Sequence, residues 1–186
     1  MGEIEKHTIT ALVEDRPGVL TKVAGLIRRR GFNIASLAVG HSEIPDLSRM
    51  TFVVQGDDYV VEQVTKQLYK LIDVVRVSDI SNESIVSREL ALVKVSITAR
   101  SRANIVEIAE SFHADIVDVD HHVSIVEVVG DEDKVDAIID QLRPFGLMEV
   151  MRTGRISMVR GSAPTGGQSG HSLISRRSAP DSEVIP

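Results

Sequence analysis

Two hydrophobic periods alternate along this chain, and they switch in a fixed order. Residues 7–14 read as a strand, and 17–30 carry Val19, Leu20, Val23, Leu26 and Ile27 at helical spacing. Strands over 33–41 and 49–55, a helix over 57–72 and a strand over 74–78 complete the first half. The order then begins again, with a strand over 89–99, a helix over 102–113 and strands over 114–120 and 123–129. A helix over 131–142 and a strand over 147–153 close it. Both halves read βαββαβ.

The duplication is visible in the letters. "VQGDDYVVEQVTKQL" (54–68) and "VVGDEDKVDAIIDQL" (128–142) align without a gap at a spacing of 74 residues. Each ends a strand on Gly-Asp, offers the Asp as an N-cap, and continues with an apolar stripe such as Val135, Ile138, Ile139 and Leu142. The expectation is an α+β protein of two tandem ferredoxin-like units, each a sheet with two helices on one face. The divisions are 1–80 for the first unit, 81–88 for a polar linker, 89–160 for the second unit and 161–186 for a Gly-, Ser- and Pro-rich disordered tail. Right-handed crossovers put the strand at 33–41 on a sheet edge. It holds no Lys, Arg or Pro, the residues that usually protect such an edge, so two copies are expected to pair there, giving a homodimer or higher oligomer.

Composition narrows the function. Aromatics make up 3% with no Trp, and the formal charge is −6, which argues against a nucleic-acid-binding face. Without cysteine there is neither a disulfide nor thiol catalysis, which suits a reducing cytoplasm. No apolar run approaches the ~20 residues of a membrane helix. No nucleophile-elbow context, P-loop or complete dinucleotide fingerprint is present, so no catalytic residues are assigned.

The turn "EDRPGVL" (14–20) carries the most specific chemistry. Pro17 suits a first helical position, and Gly18 leaves the helix N-terminus bare, where free N–H groups and the dipole favour a small anion such as a carboxylate. The matching turn of the second half, "TARSRANI", has neither Pro nor Gly, so the fold alone does not require them. Glu14 and Asp15 supply negative charge for an ammonium, and the Asn33 amide can donate to a carboxylate or accept from an ammonium. Together with aliphatic walls, these groups describe a site for a free apolar amino acid. A second constellation, Asp118, Asp120, His121 and His122, resembles a metal site, but a polar hairpin tip explains it equally, and no metal is assigned.

The blocks "VEDRPGVLTKVAGLIRRRGFNIASLAVG", "DLSRMTFVV", "LYKLIDVVRVSD", "SRELALVKV" and "PFGLMEVMRTGRISMVRG" resemble, in order, the small regulatory subunit of acetohydroxyacid synthase, also called acetolactate synthase. The first half is similar to its amino-acid-binding ACT domain. The resemblance implies a non-catalytic subunit that binds and activates the catalytic large subunit and confers feedback inhibition by valine or another branched-chain amino acid. It places thiamine diphosphate, Mg²⁺ and FAD in the large subunit and no cofactor in this chain. It also carries the effector site onto Asp15, Gly18 and Asn33, with neighbouring backbone from Arg16, Pro17, Val19 and Ile34. An amino-acid sensor acting on another enzyme, or a transcription regulator with the same ACT fold, is the alternative.

Overall fold

A computed structural model describes residues 5–29, 31–162 and 164–165. Residues 166–186 of the expected tail, and Arg30, lie outside the described residues. The first unit runs β1 (Glu5–Glu14), α1 (Val19–Arg29), β2 (Asn33–His41), β3 (Leu47–Gly56), α2 (Asp58–Leu68) and β4 (Val74–Asp79). The second runs β5 (Ile85–Ser96), α3 (Arg102–Ser111), β6 (Asp115–Val119), β7 (Val123–Gly130), α4 (Glu132–Leu142), β8 (Leu147–Arg152) and β9 (Ile156–Val159). Both sheets are antiparallel, in the order β2-β3-β1-β4 and β6-β7-β5-β8, as two ferredoxin-like units require. As expected, β2 is an edge strand.

The 74-residue repeat has a steric origin. A Cβ on Gly56 would sit 2.5 Å from the Val60 side chain, and one on Gly130 would sit 2.6 Å from that of Lys134. At Gly56 the branched Val60 cannot move aside, whereas at Gly130 the flexible Lys134 chain can yield, so the steric demand for glycine is stronger in the first unit. The next residue then caps that helix. Asp57 accepts from the Val60 N–H at 2.9 Å, and Asp131 accepts from the Lys134 N–H at the same distance.

Each unit buries its own apolar core beneath its helices. Ile9, Val23, Ile27, Phe52 and Leu68 lie at the centre of the first, and Val93, Ile105, Val126, Ile138 and Leu142 at the centre of the second. In the second unit, buried Glu89 of β5 pairs with Arg152 of β8, which also reaches Asp136 of α4 at 2.6 Å. Burial opposes the guanidinium charge, but the two carboxylates outweigh it, so the Arg152 pKa lies above the usual arginine value.

Several boundaries differ from expectation for local reasons. The first helix begins at Val19 rather than at Pro17, because Gly18 takes φ +88°, which no helical residue adopts. The helix expected to reach residue 72 ends at Leu68, where the following amides pair three residues back, Lys70 to Gln67 and Leu71 to Leu68. Similarly, α3 stops at Ser111, ahead of His113 at φ +50°. The strand expected over 89–99 runs instead from Ile85 to Ser96, so residues 85–88 of the expected linker are strand. Their partner is β9, which the sequence pattern did not reveal, with Ile85 opposite Val159 and Arg88 opposite Ile156.

Candidate functional site

The strand-to-helix turn of the first unit is fixed at its beginning and open at its end. The Glu14 N–H donates to the Asp73 carbonyl and the Asp15 N–H to the Asp46 carbonyl, both at 2.8 Å. Asp73, itself buried, holds Lys22 of α1 at 2.7 Å and so fixes the helix against the end of the sheet. Beyond Asp15 the chain rises through exposed Arg16, Pro17 and Gly18 to buried Val19. An added Cβ on Gly18 would meet nothing within 4 Å, so space does not select glycine there. The left-handed φ does. The Val19 N–H donates to the Arg16 carbonyl at 3.3 Å, and the residues just before the helix, Arg16 to Gly18, are exposed.

Both acids of this turn already have basic neighbours. Glu14 Oε2 lies 3.1 Å from Arg16 Nη1, and Asp15 Oδ2 lies 2.9 Å from His41 Nδ1 at the end of β2. His41 escaped the sequence reading because 26 positions separate it from Asp15. The hairpin register that puts His41 opposite Ser48 and Glu14 opposite Leu47 could have revealed it. Leu20 belongs by spacing to the α1 apolar stripe, whose Val19, Val23, Leu26 and Ile27 are buried. It is instead 44% exposed, leaving an aliphatic side chain in the first turn, beside the bare N-terminus.

Asn33 and Ile34 do not join this group within one chain. Asn33 stands opposite Gln55, near the start of β1, whereas Asp15 follows the end of β1. The Asn33 amide donates to Gln55 Oε1 at 3.0 Å. From Asn33 to His41 is the full length of β2, eight steps of about 3.3 Å or roughly 26 Å. The cause is α1 itself, which rises about 1.5 Å per residue and delivers the chain to the far end of the sheet. Asp15, Arg16, Pro17, Gly18 and Val19 therefore cluster at one end of β2, with Asn33 and Ile34 at the other.

A cleft of about 770 Å³ lies elsewhere, between the β2–β3 ribbon and the β5–β9 ribbon. It touches the turn region only through His41, and its walls include Val39, Ile156 and Met158, which are 47%, 59% and 65% exposed. In the metal-like constellation, the His121 N–H donates to Asp120 Oδ1 at 2.6 Å, and the two imidazole centroids are 6.5 Å apart. Among the described residues, no three His, Cys, Asp or Glu side chains are placed to hold a metal ion. No helix among them is long and apolar enough to cross a membrane.

Two family models match successive parts of the chain. One, described as an AHAS small subunit-like ACT domain, matches residues 9–76, and the other, the small subunit of acetolactate synthase, matches 88–161. An Archaeoglobus fulgidus protein named "Probable acetolactate synthase small subunit" is 59% identical over 157 residues, covering 84% of this chain and 98% of its own. The chain belongs to the acetolactate synthase small subunit family. Another acetolactate synthase small subunit, from Mycobacterium bovis, is 48% identical over 155 residues, covering 83% of this chain and 92% of its own. The crystal structure of the Thermotoga maritima acetolactate synthase small subunit superposes with a TM-score of 0.80 at 41% identity, covering 86% of this chain and all of that one. The turn at 14–20 and both ends of β2 lie inside the ACT-domain match of this small-subunit family, and α4 and β9 lie inside the second match.

Proposed function

We propose that this chain is the non-catalytic regulatory subunit of an acetohydroxyacid synthase. It binds the catalytic large subunit, raises its activity and makes it sensitive to feedback by a branched-chain amino acid, with valine the leading effector. Thiamine diphosphate, Mg²⁺ and FAD belong to the large subunit. The reading rests on the family and on one observation, the placement of the proposed effector residues at opposite ends of an edge strand that carries no Lys, Arg or Pro.

Two copies joined through β2 in antiparallel fashion about a two-fold axis would bring the Asn33 end of each strand to the His41 end of the other. Each joint then combines two contributions. One chain supplies the Gly18 turn, whose amides receive the carboxylate, and Asp15, whose acid meets the ammonium. The other supplies the Asn33 amide and the Ile34 backbone. The apolar, cation-free Ala38, Val39 and Gly40 near this seam, and exposed Val39 in particular, support pairing of this edge. A ligand shared by two chains favours one arrangement of the dimer, which is all that feedback requires.

Mixed dimers test the arrangement. Gly18→Asp and Asn33→Ala chains, each defective alone, are unfolded together, refolded and titrated calorimetrically with L-valine, L-leucine and L-isoleucine. In a random mixture, half the dimers are mixed and each has one undamaged joint, so about a quarter of the sites recover. If no binding returns while the untreated protein binds valine, the two-chain site is wrong.

A further inference from the structure

The bend between β8 and β9 reaches across to the first unit. Gly154 takes φ +81° and lies so close to β2 that an added Cβ would stand 2.9 Å from both the Leu37 carbonyl oxygen and Ser36 Oγ. At the next residue, the Arg155 backbone N–H donates to Ser36 Oγ at 2.8 Å. Its guanidinium then divides between units: Nη1 reaches Thr8 Oγ1 of β1 at 3.3 Å, and Nη2 donates to Glu132 at the start of α4. Glu132 is held from the first unit as well, by Lys6 Nζ at 2.6 Å.

These contacts are unequal. The Lys6 side chain is 46% exposed, and an ion pair so open to water adds little. The Arg155 side chain is 20% exposed, and its planar fork serves two acceptors from different elements while its own backbone is tied to a third. Ser36 occupies the register shift of β2, between Ile34 and Ser36, where the strand departs from a regular ladder with β3. The residue of β2 bonded to Arg155 therefore flanks the irregularity of that strand.

We propose that Arg155 is a positioning residue that links the setting of β2 to α4, so that a change along the edge strand is carried into the second unit. The link rests on the reading above in one respect, that the effector acts at the ends of β2. A shift there moves Ser36, Ser36 moves the Arg155 backbone, and the guanidinium carries Glu132 and the first turn of α4 with it. Arg152 holds Asp136 one turn further along α4, so the helix is gripped at both positions and responds as a body.

The test uses the full chain with Arg155→Met, Arg155→Lys or Ser36→Ala, alone and reconstituted with the catalytic large subunit. L-valine is the probe. In Arg155→Met, calorimetric valine affinity should stay within about twofold, while coupling between valine and large-subunit activity falls about fivefold or more. Arg155→Lys should recover part of the coupling, and Ser36→Ala should lose some of it. A second readout needs no ligand: amide exchange at Lys134 and Val135, whose N–H groups are held by Asp131, should quicken about tenfold in Ser36→Ala and Arg155→Met, with α3 unchanged. Unchanged exchange in both variants overturns the link, as does full valine inhibition in both. If the unaltered chain binds no valine, the effector-site reading fails and the exchange measurement still decides the link. If Arg155→Met does not fold, Ser36→Ala, which removes one hydroxyl, decides it.

Discussion

The two units use the same strand-turn-helix step in opposite ways. In the second unit the turn closes on itself: the Thr98 N–H donates to Ser101 Oγ at 2.9 Å, the Ser101 N–H donates to Thr98 Oγ1 at 3.1 Å, and the two hydroxyls stand 3.0 Å apart. In the first unit, Gly18 holds the position just before the helix that Ser101 holds in the second, and it brings no side chain. A duplicated fold thus carries one turn braced by its own hydroxyls and one with no side chain at that position. The Ser101 hydroxyl bonds back to Thr98 and does not cap α3, so what differs between the units is the side chain before the helix and the left-handed φ of Gly18.

The largest effect should come from filling the open turn. Gly18→Asp places a carboxylate where the effector's own is proposed to sit and forces a non-glycine residue to φ +88°. Valine affinity by calorimetry should fall about 100-fold, near 2.7 kcal/mol, whereas Ser101→Asp should leave it unchanged. Gly18→Ala separates the two causes, since its Cβ has open space and only the backbone strain of about 1–2 kcal/mol remains. If the alanine variant loses as much affinity as the aspartate variant, charge is not the reason.

Next in size is the far end of β2. Asn33→Ala should weaken valine binding about tenfold, since one hydrogen bond to a charged partner, at the low end of its usual range, contributes about 1.5 kcal/mol. Asp115→Ala, at the start of the matching strand β6, should do nothing to affinity. Equal losses from the two would erase the functional contrast between the units.

The helix caps should show where the units remain alike. Asp57→Ala and Asp131→Ala each remove a 2.9 Å cap bond, and each should cost about 1 kcal/mol in urea unfolding. A clear inequality would mean the units no longer share their strand-to-helix step. Ser101→Ala opens the closed turn and should cost about 0.5–1 kcal/mol without creating a valine site.

The smallest effect concerns pH. The backbone N–H of Glu43, followed by the Arg49 guanidinium at 2.8 and 3.0 Å, holds the Glu43 carboxyl below its ordinary pKa. A depressed carboxylate stabilises the fold above its unfolded pKa and loses that contribution as pH falls through the lower, folded value. With 68% of the side chain exposed, solvent screening keeps the contribution small. Glu43→Gln should therefore only slightly flatten the acid limb of stability measured against pH. A steep change there would assign the hairpin more weight than its exposure allows.

Much of this architecture was legible because its signals are local. The Gly-Asp steps, their caps and the apolar stripes lie within fifteen residues of sequence, and strand order follows from crossover handedness. What escaped was long-range. β9 is four residues long, with alternate side chains exposed, and its partner Ile85–Arg88 follows the polar "SNE", so neither segment stood out without the other. Arg155 looked like one cation among many until the fold placed Ser36, Thr8 and Glu132 around it. For the candidate site, the Gly18 turn was readable from its residue types. The distance of Asn33 from it was not, because nearness in sequence across a helix becomes remoteness along a sheet.

That remoteness has a consequence for dosage. If a working site needs the turn of one protomer and the strand start of another, a lone chain is blind to the metabolite, and response appears only where chains are abundant enough to meet. Diluting the subunit below its self-association constant should then abolish sensing while leaving each fold intact.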